Sequence, residues 1–209
     1  MNLPKHVAII PDGNRRWAVA RGLPTLVGHK KGFDRAMELV RASRELGIHT
    51  LTLWAFSTEN WNRAKREINY LMKLYHDMID KNVVEAHKYQ SRIVHLGRKD
   101  RIPKSLAEKI GRAEQETADY NKHILNIALD YGGQDEILRA AAKFLESGKE
   151  IEKFADYLDT GGQPHPYPDL MIRTGGELRM SGLLLWQAAY TEYYFAKENF
   201  PDFTAERFG

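Results

Sequence analysis

The chain has 209 residues, 43% of them hydrophobic and 28% charged, the profile of one soluble globular domain with a well-buried core. A net charge of +3 suits an anionic substrate or a membrane surface but is far too small to argue for nucleic acid. With no cysteine, disulfides, thiol nucleophiles and thiolate metal sites are excluded, and a reducing cytoplasmic setting is expected.

The opening MNLPKHVAII lacks a signal-peptide core, and no apolar run approaches the ~18 residues of a membrane span. Residues 6–11 (HVAIIP) read as a buried strand that ends at a proline. An amphipathic helix is expected over 29–46, stopped by Gly47. A second strand covers 48–56 (IHTLTLWAF), and 65–90 place Ile68, Leu71, Met72, Tyr75, Met78, Ile79 and Val83 at helical spacing. Strands follow at 92–97 and 123–129, separated by a largely exposed helix over 103–121 that opens on Pro103. Two shorter helices are expected at 134–147 and 150–159, then a Gly/Pro-rich surface loop at 159–169 and strands at 169–173 and 190–195. This alternation predicts a single α/β domain over 1–209 with a six-stranded, mostly parallel sheet flanked by helices.

Open parallel sheets bind ligands outside the carboxyl ends of their strands. Four chemically rich turns fall there: Asp12-Gly13-Asn14-Arg15-Arg16, then Ser57 to Arg63, then Gly132-Gly133, then Arg173-Thr174-Gly175-Gly176. A glycine turn opening a helix presents free N–H groups to an anion, and arginines add charge-assisted bonds. Asp12 beside a phosphate site would repel the ligand unless a cation lies between, which points to Mg²⁺. The competing reading of the same residues is an Asp helix cap with solvated arginines. RTGGELRMSG (173–182) offers a second anion site through Arg173, Arg179 and Ser181, or else a flexible basic loop. His29, Trp61 and the apolar stripe of 65–90 read more simply as structural, with a phosphate donor at His29 and a hydrocarbon tunnel along the stripe as the other readings. Glu192, among aromatics on the last strand, either faces outward or pairs with an arginine or metal.

HVAIIPDGNRRWA, GHKKG, LTLWAFSTENWNR, LNIALDYGGQDEI and IRTGGELRMSGLLLWQAAYTEYYF together resemble the cis-prenyltransferases, the undecaprenyl diphosphate synthase-like isoprenyl transferases, almost end to end. The resemblance implies a homodimer with an apolar tunnel. It also implies Mg²⁺-dependent condensation of isopentenyl diphosphate onto an allylic diphosphate, such as farnesyl diphosphate, to give a cis-polyprenyl diphosphate. On this reading Asp12 is catalytic and binds the metal, with Glu192 as second metal carboxylate and Asn60 at the position assigned to proton removal. Gly13, Asn14, Arg15, Arg16, His29 and Arg63 would hold the allylic diphosphate. Trp17, Ser57, Thr58, Glu59 and Trp61 would shape the substrate site, and Arg173, Arg179, Met180 and Ser181 the isopentenyl diphosphate site. Peripheral contact with a membrane is expected.

Thr25, Ala64 and Gly182-Leu183 depart from the family pattern of arginine, proline and Asn-Phe. The end, FTAERFG, reads as the opening of a final helix that family members continue, so a truncated C-terminus is expected. A non-catalytic, binding-only subunit would be expected to lose Asp12, Arg16, Asn60, Arg173, Arg179, Ser181 and Glu192, all of which are present. A nucleotide-binding protein is disfavoured because neither GxxxxGK[ST] nor GxGxxG occurs.

Overall fold

A computed structural model describes residues 3–209; Met1 and Asn2, part of the leader-free reading above, lie outside them. The chain runs β1 (His6–Ile10), α1 (Asn14–Val19), α2 (Thr25–Glu45), β2 (Thr50–Ser57), a 3₁₀ turn (Thr58–Asn62) and α3 (Lys65–Tyr89). It continues through β3 (Ser91–Leu96), α4 (Lys104–Glu116), β4 (His123–Tyr131) and α5 (Gly133–Ser147). A 3₁₀ segment (Ile151–Tyr157), β5 (Leu170–Arg173), β6 (Glu192–Phe195), a 3₁₀ turn (Phe200–Asp202) and α6 (Ala205–Phe208) follow.

The six strands form one sheet in the order β3-β4-β2-β1-β5-β6, and every pairing is parallel. The expected "mostly parallel" sheet is thus wholly parallel. All five residues of β1 are buried, as a strand covered on both faces requires. Val7 and Ile9 join Leu51, Leu53, Leu125 and Ile127 beneath α2, α3 and α4. The alternate residues Ala8 and Ile10 face Leu183, Leu184 and Ala188 of the β5–β6 connection. Each buried Val, Leu or Ile contributes about 1.5–3 kcal/mol, and the helix-covered face holds the larger cluster of them.

Several boundaries differ from expectation for local reasons. Pro24, at φ −55°, is pre-set as a cap, so α2 begins at Thr25 and His29 lies a full turn inside the helix. A separate helix, α1, precedes it. The segment expected as a helix at 150–159 is 3₁₀ over Ile151–Tyr157 and buries none of its side chains. α4 stops at Glu116 and turns one stripe, Leu106, Ile110 and Ala113, inward. Tyr190 is wholly exposed, so the last strand starts two residues late, at Glu192.

After β1 the chain moves to one side of the sheet, to β2, whereas after β5 it moves to the other, to β6. The carboxyl ends of neighbouring β1 and β5 are therefore the topological switch point, where a crevice opens. Asp12 follows the first of these ends and Arg173 closes the second.

Candidate active site

Backbone geometry fixes Asp12 before its side chain does anything. Its carbonyl accepts from Thr174 Oγ1 at 2.8 Å and from the Phe200 N–H at 2.9 Å, and its own N–H donates to Thr174 Oγ1 at 3.0 Å. Gly13 follows at φ +98°, and a Cβ there would stand 2.2 Å from Asn199 Oδ1, so only glycine fits the turn. That conformation aims the Gly13 N–H at Asp12 Oδ1, 2.6 Å away. Arg173 Nη2 donates to Asp12 Oδ2 at 2.9 Å, and Arg16 Nη2 lies 3.2 Å from Oδ1. Burial alone would raise the Asp12 pKa. The bonds from Arg173 and Gly13 and the nearby guanidinium charges outweigh it and hold the carboxyl below its ordinary range, so it is ionised at neutral pH.

Arg173 is the hub of the mouth. Its side chain is 6% exposed, and besides Asp12 it reaches Ser181 Oγ at 2.6 Å and the Arg179 carbonyl. Its Nε–H, closed off from solvent, finds no hydrogen-bond partner among the described residues. Ser181, Gly182 and Leu184 all adopt positive φ, which wraps this turn around the guanidinium. Glu177 gathers two further arginines: Arg179 donates to it at 2.6 Å and Arg16 at 3.5 Å. α1 has only six residues, so positive charge at the first turn comes from guanidiniums far more than from a helix dipole.

On the opposite wall His29 Nε2 and Arg63 Nη1 share Glu67 Oε1, at 2.9 and 3.2 Å. Burial lowers the His29 pKa more than the Glu67 bond and charge raise it, so the ring is neutral with its Nε2–H on Glu67. Asn60 Oδ1 accepts the Ser57 N–H at 3.3 Å in a capping box, which commits that oxygen to the turn.

These walls enclose a cavity of about 920 Å³. Asp12, Gly13, Asn14, Arg15, Arg16, His29, Ser57, Glu59, Asn60, Arg63, Arg173 and Ser181 all line it. Its depth is apolar, bounded by Ala36 of α2, Leu53 of β2 and Leu71, Leu74 and Met78 of α3. Thr25 lines it as well, in place of the family's arginine.

Other expected site residues go elsewhere. Trp17 donates to Asp202 at 2.7 Å under the Arg21 guanidinium, outside the cavity. Trp61 donates to Asp130 at 2.8 Å and packs edge-on against Phe56. Thr58 turns to Glu59, Met180 packs beneath the sheet, and the Arg179 side chain is exposed on Glu177. Glu192 is not brought to Asp12 in this chain. It opens β6 opposite Leu170, whereas Arg173 pairs with Phe195, so about 10 Å of strand and one further strand separate them. Among the described residues no cluster of three or more acidic or histidine side chains is placed to hold a metal.

Sequence reasoning passed over Glu67, Thr174 and Glu177. Glu67 carried a signal, lying four residues after Arg63 on a helix; the other two sat inside quoted turns without a stated role.

The family model described as "Putative undecaprenyl diphosphate synthase" matches residues 10–209. The chain belongs to the undecaprenyl diphosphate synthase family. Its relatives within that isoprenyl transferase family include the isoprenyl transferase of Aquifex aeolicus, 45% identical over 211 residues, spanning 100% of this chain and 90% of that protein. The isoprenyl transferase of Thermotoga maritima is 45% identical over 215 residues, spanning 100% and 91%. Lavandulyl diphosphate synthase from Lavandula x intermedia, solved with dimethylallyl diphosphate, superposes with a TM-score of 0.92 at 35% identity, covering 98% of this chain and 92% of that one. A probable undecaprenyl diphosphate synthase from Campylobacter jejuni gives 0.82 at 34%, covering 100% and 92%.

Proposed function

We propose that this isoprenyl transferase condenses isopentenyl diphosphate onto an allylic diphosphate, such as farnesyl diphosphate, to give a cis-polyprenyl diphosphate in an Mg²⁺-dependent reaction. One observation carries the reading: a single cavity has a cationic mouth at Asp12, Arg16 and Arg173 and an apolar depth at Leu71, Leu74 and Met78. A diphosphate with a hydrocarbon tail is complementary to both ends, and the depth serves as the tunnel for the growing chain.

Asp12 fits Mg²⁺ as one hard, ionised carboxylate at a mouth where diphosphate oxygens would complete the coordination. A bound Mg²⁺ supplies neutralisation of the diphosphate that departs when the allylic C–O bond breaks. Arg16 and Arg63, with the backbone from Gly13 onward, hold the allylic diphosphate, while neutral His29, its one N–H given to Glu67, helps fix the carboxylate that anchors Arg63. Arg173 and Ser181, which both line the cavity, hold the isopentenyl diphosphate against the developing cation. The apolar walls keep water from that cation. Asn60 is a weak base whose oxygen already caps its own turn, so it orients substrate while the departing diphosphate takes the proton.

Homodimerisation is proposed through the β6 edge, where Tyr193 and Tyr194 are exposed beside Glu192. Glu192 is retained as a metal carboxylate only for a site completed from outside this chain's own cavity. No helix among the described residues is long and apolar enough to cross a membrane; a cytoplasmic enzyme touching the bilayer peripherally is the proposed setting.

The deciding experiment is incorporation of radiolabelled isopentenyl diphosphate with farnesyl diphosphate, with Mg²⁺ and with EDTA, products sized by chromatography. Asp12→Ala is expected to lose at least about 100-fold in kcat with an unchanged circular dichroism spectrum. Undiminished turnover by that variant, or turnover indifferent to EDTA, would overturn the metal role.

A further inference from the structure

The turn after β2 is short of internal support. Its 3₁₀ helix, Thr58–Asn62, buries none of its own residues, yet Ser57, Glu59 and Asn60 line the cavity. Five residues have no helical cooperativity to hold them in place. Arg63 is tied to Glu67 at the start of α3. The deeper tie is Trp61, whose Nε1–H donates 2.8 Å to Asp130 Oδ1. Its ring meets Phe56, a cavity-wall residue, edge-on at 5.1 Å.

Asp130 is built into the end of β4 at φ +52° with 0% exposure, a conformation few L-residues adopt and one Asp tolerates better than most. A carboxylate buried that completely needs a cation. Arg101 supplies it from the β3–α4 connection, with Nε 2.8 Å from Oδ2 and Nη2 2.5 Å from Oδ1. The connection itself is pressed onto β4. A Cβ on Gly97, at φ +114°, would stand 2.6 Å from the Leu129 carbonyl oxygen, and the Arg98 N–H donates to the Asp130 carbonyl at 3.1 Å. Neither Asp130 nor Arg101 lines the cavity.

We propose that Asp130 and Arg101 are positioning residues for isoprenyl transfer: a bidentate ion pair that grips the Trp61 indole and so holds Ser57, Glu59 and Asn60 in register with the Asp12–Arg173 mouth. The inference rests on the proposed function for its kinetic meaning. The strained φ at Asp130 is the cost of turning its carboxylate inward to Trp61, and Arg101 balances the charge. Trp61 acts through its N–H and its packing, not through substrate contact.

The test compares Arg101→Met, Arg101→Lys, Trp61→Phe and the Arg101→Met/Trp61→Phe pair in the full chain. Each single variant is expected to lose about tenfold in kcat for isopentenyl diphosphate incorporation, with a smaller change in KM, because the turn is loosened rather than the diphosphate ligands removed. Lysine restores little, lacking the fork that spans both carboxylate oxygens. The double variant is expected to be no worse than the poorer single, since both act through one bond. Amide hydrogen exchange at 57–63 should quicken about tenfold in Arg101→Met while residues 124–128 keep their protection. A fall in Tm with kcat and the 57–63 exchange unchanged would overturn the clamp, as would fully additive losses. Should the unaltered chain show no turnover, the proposed function fails, and the exchange comparison alone decides the clamp. If Arg101→Met does not fold, Trp61→Phe, which keeps the packing on Phe56, carries the same readouts.

Discussion

Arg173 concentrates more of the site's geometry than any other side chain, because one planar guanidinium serves Asp12, Ser181 and the Arg179 carbonyl at once. Its candidacy for an anion site could be read from its place at the end of a buried strand; its grip on Asp12, 161 residues away in the chain, could not. Lysine offers a point charge without the fork, so Arg173→Lys cannot keep these bonds together. The expected result is a loss of about 100-fold in kcat/KM, spread over kcat and the KM for isopentenyl diphosphate. A loss confined to KM would mean that Asp12 is oriented without it. Glu67 shows the complementary lesson. Its spacing from Arg63 is visible in sequence, but its meeting with His29 depends on how α2 and α3 pack.

At the scale of elements, α1 and α2 meet through glycine. A Cβ on Gly28 would stand 2.0 Å from the Asn14 carbonyl oxygen, which is backbone and cannot swing away. Alanine is the better helix former by about 1 kcal/mol, but overpacking against a fixed carbonyl costs roughly 1–3 kcal/mol or more. Gly28→Ala is therefore expected to lower stability in urea titration and, by shifting Arg15 and Arg16, to weaken allylic diphosphate binding. Two strands carry a second element-scale property. Burial lowers the pKa of His6 on β1 and of His95 on β3 from 6.5 to about 4. The folded state keeps both neutral while the unfolded chain protonates below pH 6.5, so their stability is complete above that value and lost as pH falls toward 4. Each is expected to cost roughly 2 kcal/mol on going from pH 7 to pH 5. Denaturation midpoints at the two pH values check this, and His6→Gln and His95→Gln should each flatten the dependence. The same elements show what patterning could and could not resolve. Buried runs located all six strands to within two residues, whereas the 3₁₀ segment at Ile151–Tyr157 has helical composition but never buries a face.

For the whole molecule, the cavity joins a charged mouth to an apolar depth, so a ligand filling both should stabilise the fold more than one filling the mouth alone. Farnesyl diphosphate at about 100 times its Kd should add about 2.7 kcal/mol, which for a chain of this size raises Tm by roughly 5–11 °C. Inorganic diphosphate at equal concentration should raise it less, since it leaves the Leu71–Met78 wall untouched. Equal shifts in differential scanning fluorimetry would place the binding energy entirely at the mouth.

Sequence alone determined a mostly parallel α/β domain with its candidate site residues gathered at the carboxyl edge of the sheet. Strand burial and turn composition are local properties, and β1, buried on both faces, can sit only in a sheet covered on both sides. The tertiary structure decided which of the eligible residues meet. Strand register put Glu192 at the far end of β6, packing turned Trp17 to Asp202 and Trp61 to Asp130, and only the switch between β1 and β5 brought Asp12 within reach of Arg173. Register and side-chain direction are set by contacts between segments distant in the chain, and no local pattern encodes them.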